Sequence, residues 1–401
     1  MSAVQGQVAP GFEPVLACLE ALFRDGSEIG AGLAVTHKGQ VVVDLWGGVA
    51  DVASGAAWKA DTRAVVFSVT KGLVAMALAM LHDQGRLDWD APVAAVWPAF
   101  AAAGKGEISL RTLFNHRAGL PVLDVPFTLA EAVQGGDRLR EALEAQRPVW
   151  VPGTDQGYHA TTFGMYAAEV FFRLAGESVG TFLARDVFGP LGADVSLGTP
   201  PEVDARVATL YAPTMGDRVV SMLTNAARGN LNEARVLAAA LGPLGLPRRA
   251  FTNPHIDSPV AYGVPAVWRA ELPWASATAT ARGVARAYAP FAAGGEIDGR
   301  RYVREANLAP VYERQSWSER DRVMQKPLGW SQGFLKDDVK VFSPVRESFG
   351  HAGLGGSLGW CDPVNQLTIG YVPNKLAPQV RSPRAVALCH AIYRCEPLRS
   401  T

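Results

Sequence analysis

Cysteine is scarce and poorly spaced for pairing. The 401 residues hold four, Cys18, Cys361, Cys389 and Cys395, with no Cys-x-x-Cys among them. That argues against a disulfide framework and for buried thiols in a reducing, cytoplasmic compartment. Net charge is also missing: Lys plus Arg and Asp plus Glu number 38 each, and no basic run interleaved with aromatics occurs, so a nucleic-acid partner is not expected. The longest apolar helical stretch, Gly72 to Leu81, falls short of the roughly 20 residues that span a bilayer, so no membrane partner is expected. The opening residues lack the basic and apolar regions of a signal peptide. The seven histidines include no His-Glu-x-x-His pair, so neither a metal nor another cofactor is expected. Internal repeats and low-complexity tracts are absent. What the chain does have is apolar content, 48%, ample for a large core in two subdomains or one large unit.

Periodicity places strands at both ends and helices between them. An amphipathic helix is expected from about Pro14 to Phe23. Two β-branched runs between Gly32 and Gly48 flank His37-Lys38-Gly39-Gln40, a hairpin signal with Gly39 free to take positive φ. Asp90-Ala91-Pro92 has the form of a helix start, with Asp90 as cap and Pro92 in the first turn, and Ser109 caps a helix ending at Phe114. A helical stretch from Thr128 to Gln146 is interrupted by Gly135-Gly136. Phe163 to Leu174 reads as a helix stopped by Gly176, with Ser178 capping the next. From Pro190 to about Trp274 the composition loosens and elements cannot be assigned. Thr280 to Ala293 resumes as helix. Strands are expected over Leu328–Leu335, Ser348–Trp360 and Gln366–Val372, then a helix over Pro383–Tyr393. This order implies an α/β (α+β) unit in which the N- and C-terminal segments build a helix-flanked antiparallel sheet around an all-helical insertion. The expected division is 1–66 plus 275–401 for the α/β part and 67–274 for the mainly helical part.

Chemistry concentrates at Phe67-Ser68-Val69-Thr70-Lys71. Residues three apart share a helix face, so Lys71 can reach the Ser68 hydroxyl. A desolvated lysine that has lost its proton can take one from that hydroxyl. Gly72 to Leu81 is apolar almost all round, as in a buried helix, so Ser68 would sit at the mouth of a helix plugged into the core, where free N–H groups and partial positive charge favour an oxyanion. Ser-x-x-Lys alone also occurs by chance, and a motif needs its context.

That context is Tyr158-His159-Ala160 and His351-Ala352-Gly353, in that order. Phe67–Gly72, Gly85–Asp88, Asn115–Pro121, Pro152–Thr154, Gly350–Gly356, Asp362-Pro363 and Gly370–Asn374 flank them. From Gly32 to Tyr393 the chain resembles the serine β-lactamase and penicillin-binding protein superfamily, in particular its class C-like branch. Tyr158-His-Ala-Thr-Thr-Phe-Gly164 is most similar to the family VIII carboxylesterases. The resemblance implies a β-lactamase/transpeptidase-like fold and Ser68 as acylated nucleophile. It implies that Lys71 and Tyr158 share the work of general base, with Tyr158 then protonating the leaving alcohol. A tyrosinate at neutral pH needs a pKa below about 10, which an adjacent ammonium would supply. The oxyanion hole would be the N–H groups of Ser68 and Leu354. Gly353 would let the strand approach the substrate closely.

Departures from the β-lactamase pattern bear on the substrate. His351-Ala352-Gly353 replaces Lys-Thr-Gly, and Ala160 replaces Asn. A fixed cation becomes a mostly neutral imidazole, and a hydroxyl and an amide become methyl groups. Both losses weaken anion contacts, so a small neutral ester is the better-matched substrate. The expected activity is a serine carboxylesterase acting on short-chain acyl esters. Open alternatives are a β-lactamase, amidase or acyltransferase of the same fold, or a ligand-binding module without catalysis. Substrate-lining roles are expected for His351, Ala352, Gly353, Ala160 and Trp274, with Tyr211 and Trp268 as further wall candidates; ordinary packing is the competing reading for these aromatics. Gly355-Gly356-Ser357-Leu358-Gly359 fits the Gly-x-Ser-x-Gly elbow, but a turn-like Trp360-Cys361-Asp362-Pro363 follows where a helix is required. Ser357 is therefore expected to pack beneath the site. His159 and His116 are expected to be structural.

Overall fold

The computed structural model describes residues 4–217, 221, 232–242, 245–336, 341–379 and 381–398. The loose stretch after Pro190 resolves into short helices, with 218–220, 222–231 and 243–244 outside the described residues.

The framework is a ten-stranded sheet whose neighbours all pair antiparallel. The N-terminal segment gives β1 (Gln5–Val8), β2 (Gly30–His37) and β3 (Gln40–Asp51). The C-terminal segment gives β4 (Ser316–Ser318), β5 (Leu328–Ser331), β6 (Phe334–Lys336), β7 (Phe349–Ala352), β8 (Leu358–Asp362) and β9 (Leu367–Pro373). Their order across the sheet is β1-β3-β2-β9-β8-β7-β6-β5-β4, with the two-residue strand Ala56–Ala57 paired to β3 off this path. The β2–β3 turn is the expected one, and Lys38 joins Gly39 at positive φ (50° and 78°).

Two expected strands are hairpins instead. Leu328–Leu335 reverses at Gln332-Gly333, both at positive φ, giving β5 and β6. Ser348–Trp360 reverses through Gly353–Ser357, giving β7 and β8 with His351 opposite Gly359. Alternation alone does not distinguish one long strand from two short ones when the connecting residues are also apolar or small. Strands β1 and β4 lacked a period long enough to read. Pro92 stands just outside the short helix Val93–Val96 as its cap residue, with extended ψ (139°), and not inside its first turn.

The helices that matter here are α1 (Glu13–Arg24), α2 (Val69–Asp83), α3 (Leu110–Phe114), α4 (Thr162–Ala175), α5 (Ala281–Ala292) and α6 (Pro383–Tyr393). Sheet alternation separates two cores. Leu33, Val35, Leu367, Ile369 and Tyr371 face α1 and α6, meeting Val15, Leu19, Leu388 and Ile392. Ala34 and Val372 face the opposite way, toward the core that contains α2 and α5. Small residues on this second face let α5 lie close: a Cβ on Gly370 would stand 2.1 Å from the Ala281 carbonyl oxygen.

Helix α2 is buried at every residue from Val69 to Leu81, as its uniformly apolar sequence requires. Full burial of each Leu or Val contributes about 1.5–3 kcal/mol, so α2 is a firm support for whatever sits at its N-terminus. Among the described residues no helix is long and apolar enough to cross a membrane, and none of the four cysteines is in a disulfide.

Candidate active site

Ser68 is the residue before α2, and the turn that presents it is strained: Phe67 has φ of 46°, a region that costs a non-glycine residue about 1–3 kcal/mol. Its surroundings hold it there. The Phe67 ring packs edge-on to Tyr262, with centroids 5.8 Å apart. The Val66 amide donates to the Ala277 carbonyl (2.9 Å), and the Ala277 amide donates to Thr70 Oγ1 (3.2 Å). Ser357 Oγ, buried, donates to the Val66 carbonyl (2.8 Å).

The structure brings Lys71 and Tyr158 together on the Ser68 hydroxyl, with the His351 motif lining the same cleft. Lys71 Nζ lies 3.0 Å from Ser68 Oγ, and Tyr158 Oη lies 3.0 Å from the same atom. The Lys71 amine also donates to the Trp274 carbonyl (2.8 Å) and sits 5.3 Å from the Tyr158 ring centroid. Lys71 is 1% exposed and Tyr158 5%. Burial drives the Lys71 pKa well below its usual range. It drives the Tyr158 phenol up from its usual 10, with the nearby Asp321 charge adding to the rise and the Ser68 hydrogen bond opposing it. Both shifts disfavour an ammonium–phenolate pair, and the phenol pKa moves up where the sequence led to one lowered by a neighbouring ammonium, because burial penalises the charged form of each group.

His351, on β7, is buried, and desolvation with help from Lys71 pushes its pKa down to about 3. Its Nδ1 lies 2.8 Å from the Ala352 carbonyl, to which a neutral imidazole donates. Gly353 follows β7 and lines the cleft, and its missing side chain also lets two backbones meet. A Cβ there would stand 2.0 Å from Ser357 Oγ and 2.4 Å from the Val66 carbonyl oxygen, so glycine seats the strand end against the turn that carries Ser68. The next residue, Leu354, opens the bend between β7 and β8. Neither its N–H nor that of Ser68 has a backbone acceptor among the described residues.

Ser68, Tyr158, His351, Ala352, Gly353 and Leu354 all line one cleft of about 950 Å³, open solvent included. Its other walls are chiefly apolar and come from Trp317, Val323, Met324, Leu328, Trp330, Leu335 and Phe342, with Phe251 and Val236 opposite. Ala160 and Trp274 are not among the lining residues. Ala160 is buried beside Tyr158. Trp274 serves through its carbonyl, while its indole donates to Tyr262 (2.9 Å). Tyr211 and Trp268 are likewise committed elsewhere, Tyr211 to the Val52 amide and Trp268 to Asp204. Among the described residues most of the wall thus comes from 317–336 with Phe342, and Val236 and Phe251 are its contribution from 197–277. Trp330 in particular stacks parallel on Tyr158, 5.5 Å between centroids at 4°. The aromatic content of the β4–β6 region, next in sequence to His351, was the available signal.

The two neighbouring histidines fix the Tyr158 loop. The His159 amide donates to His116 Nδ1 (3.0 Å), and the Leu120 amide donates to His159 Nε2 (3.1 Å). His116 itself has φ of 61°.

An antiparallel sheet closed by strands from both chain ends, with a Ser-x-x-Lys at the mouth of a buried helix and a tyrosine from the helical layer, is the β-lactamase/transpeptidase-like architecture. The family model described as Beta-lactamase matches residues 17–390, and the chain belongs to that family. It is 33% identical over 97% of its length to the Esterase/beta-lactamase LipL of Mycobacterium tuberculosis, covering 88% of that protein. Among solved structures it is similar to a family VIII carboxylesterase, at TM-score 0.85 and 33% identity, with 98% of this chain and 99% of the other covered. It is also similar to EstA from Arthrobacter nitroguajacolicus Rue61a, at TM-score 0.82 and 28% identity, with 100% and 99% covered. Within the superfamily the chain lies close to the family VIII esterases.

Proposed function

We propose that the protein is a serine carboxylesterase hydrolysing short-chain acyl esters through an acyl-enzyme on Ser68. The observation that carries this reading is the convergence of Lys71 Nζ and Tyr158 Oη on Ser68 Oγ, each at 3.0 Å, inside an apolar cleft. The neutral Lys71 amine takes the hydroxyl proton as Oγ adds to the ester carbonyl. The N–H groups of Ser68 and Leu354 receive the oxyanion, each well-aimed donor contributing about 3 kcal/mol. As the tetrahedral adduct collapses, the Tyr158 phenol delivers its proton to the leaving alkoxide and the Lys71 ammonium restores it. Water then adds to the acyl group by the same relay in reverse, returning Ser68 and a carboxylic acid. The cleft lies between an α/β part, 1–66 with 275–401, and a helical part, 67–274.

Preference for a neutral ester over a β-lactam carboxylate rests on His351, an uncharged imidazole at neutral pH where a cation would hold the anion. The likeness to LipL, named for both esterase and β-lactamase, and to a family VIII carboxylesterase supports ester hydrolysis itself. The test compares turnover of p-nitrophenyl butyrate and nitrocefin by the wild type and Ser68→Ala. Ester turnover that vanishes with Ser68 supports the assignment. Nitrocefin turnover exceeding that of the ester reverses the ranking, and no turnover of either with no phosphonate adduct on Ser68 leaves a binding module.

A further inference from the structure

Asp321 is a fully buried carboxylate with no ion-pair partner among the described residues. Four donors surround it. Oδ1 accepts the backbone N–H groups of Tyr158 (3.0 Å), Val323 (2.9 Å) and Met324 (2.9 Å). Oδ2 accepts Gln156 Nε2 (3.3 Å), whose amide also donates to the Leu328 carbonyl (3.1 Å). The Arg322 amide donates to the Gln156 carbonyl (3.0 Å), and the Asp321 amide closes its own turn on the Lys326 carbonyl (3.0 Å). A site built solely of donors is built for the ionised carboxylate.

The identity of those donors gives the group its significance. Tyr158 carries the phenol on Ser68, while Val323 and Met324 are walls of the cleft, as is Leu328, reached through Gln156. One side chain therefore joins two segments more than 160 residues apart, the tyrosine that meets the nucleophile and the wall the substrate rests against. We propose that Asp321 is a positioning residue for the ester-cleaving site, holding the Tyr158 phenol on the Ser68 hydroxyl and the 323–328 wall in register with it through a single buried carboxylate. The inference deepens the esterase reading and rests on it for its kinetic consequences.

Asp321→Ala leaves three buried N–H groups without an acceptor. Asp321→Asn keeps an acceptor oxygen for them, and the buried Gln156 Oε1, which has no partner, becomes available to the new amide N–H. The experiment measures kcat and KM per mole of folded protein, with folding checked by circular dichroism, on p-nitrophenyl acetate and p-nitrophenyl octanoate. The expected result for Asp321→Ala is a kcat on acetate lowered roughly 100-fold, within the range of a lost proton relay, and a raised KM confined to octanoate, the ester long enough to reach the wall. Asp321→Asn recovers at least tenfold of the lost kcat. Retention of wild-type kcat by Asp321→Ala overturns the proposal, as does an equal fall on both esters with no change in KM and no recovery in Asp321→Asn, since that pattern reports only general damage. Should the wild type cleave no ester, the esterase reading fails separately, and crystal structures of wild type and Asp321→Ala decide the positioning claim. A Tyr158 phenol displaced from Ser68 in the variant supports it, and one still at 3.0 Å refutes it. If Asp321→Ala does not fold, the same comparisons are made with Asp321→Ser, whose hydroxyl is too short to serve all three amides, and there a kcat and a Tyr158 position both equal to wild type refute the proposal.

Discussion

Lys71→Met removes the buried amine while keeping an unbranched side chain of similar length, and it should move activity and stability in opposite directions. In the proposed mechanism the amine takes the Ser68 proton, so loss of it should lower kcat by about 10²–10⁴-fold. Stability responds to the same burial. In the unfolded chain the lysine holds its proton up to its ordinary pKa of 10.5, and in the folded protein that pKa is depressed. The unfolded state thus binds more protons between the two values, so stability rises with pH across that window. The full penalty lies below the folded pKa and none remains above 10.5. At pH 7 the folded protein carries this penalty, and Lys71→Met removes it. Against this, methionine leaves the Trp274 carbonyl without its donor, at a cost of about 1–3 kcal/mol. The desolvation effect is the larger, and Lys71→Met should be more stable than wild type at pH 7. The advantage should shrink as pH climbs and change sign below pH 10.5, where the remaining penalty has fallen to the cost of the unpaired carbonyl. Urea unfolding at pH 7, 9 and 10.5 with parallel assays of p-nitrophenyl butyrate turnover reads both effects. A variant that is less stable at pH 7, or that keeps turnover within a few-fold of wild type, refutes the reasoning.

Tyr158→Phe keeps the ring stack on Trp330 and loses only the phenol, so kcat should fall about 10²–10⁴-fold with thermal stability nearly unchanged; a full-rate Phe variant would remove Tyr158 from the relay. Ser357→Ala should retain ester turnover and phosphonate labelling at Ser68 and lose about 1 kcal/mol of stability from the missing bond to Val66, as measured by urea midpoint. Loss of labelling in that variant would implicate the wrong serine. Gly370→Ala should cost about 1–3 kcal/mol or more, because the added methyl meets the backbone of α5 at 2.1 Å, and an unchanged denaturation midpoint would show that α5 can move aside.

The parts of the fold that were legible in the sequence are those where one local signal coincides with one physical role. Helix α6 begins and ends where Pro383 and Tyr393 suggested. Gly176 closes α4 in the left-handed conformation, with φ of 74°. Ser109 and Ser178 accept the amides three residues on, as cap residues do. The meeting of Ser68, Lys71 and Tyr158 was legible only through the resemblance, since no local rule ties residue 68 to residue 158. The rest was hidden for identifiable reasons. The β7–β8 reversal passes through glycines and a serine that read as a continuous strand, yet it is this reversal that brings Leu354 to the cleft that Ser68 lines. The Tyr158 protonation state depends on how deeply the phenol is buried, which charge counting along the chain does not show. Asp321 is an ordinary acidic residue in sequence, and its partners are set by a turn that closes only in three dimensions.

The pairing of β2 with β9 carries a cost for how the chain reaches this structure. Thr36 and Thr368, whose hydroxyls meet at 2.6 Å, are separated by 332 residues. During synthesis the β2–β3 hairpin therefore has one open edge until nearly the whole polypeptide has left the ribosome. Contacts of such separation form slowly, and unpaired edges invite association with other chains. Overproduction of this protein should consequently be limited by edge-to-edge aggregation of nascent chains, and slower translation or a holdase chaperone should raise the yield of soluble material more than stabilising the finished fold would.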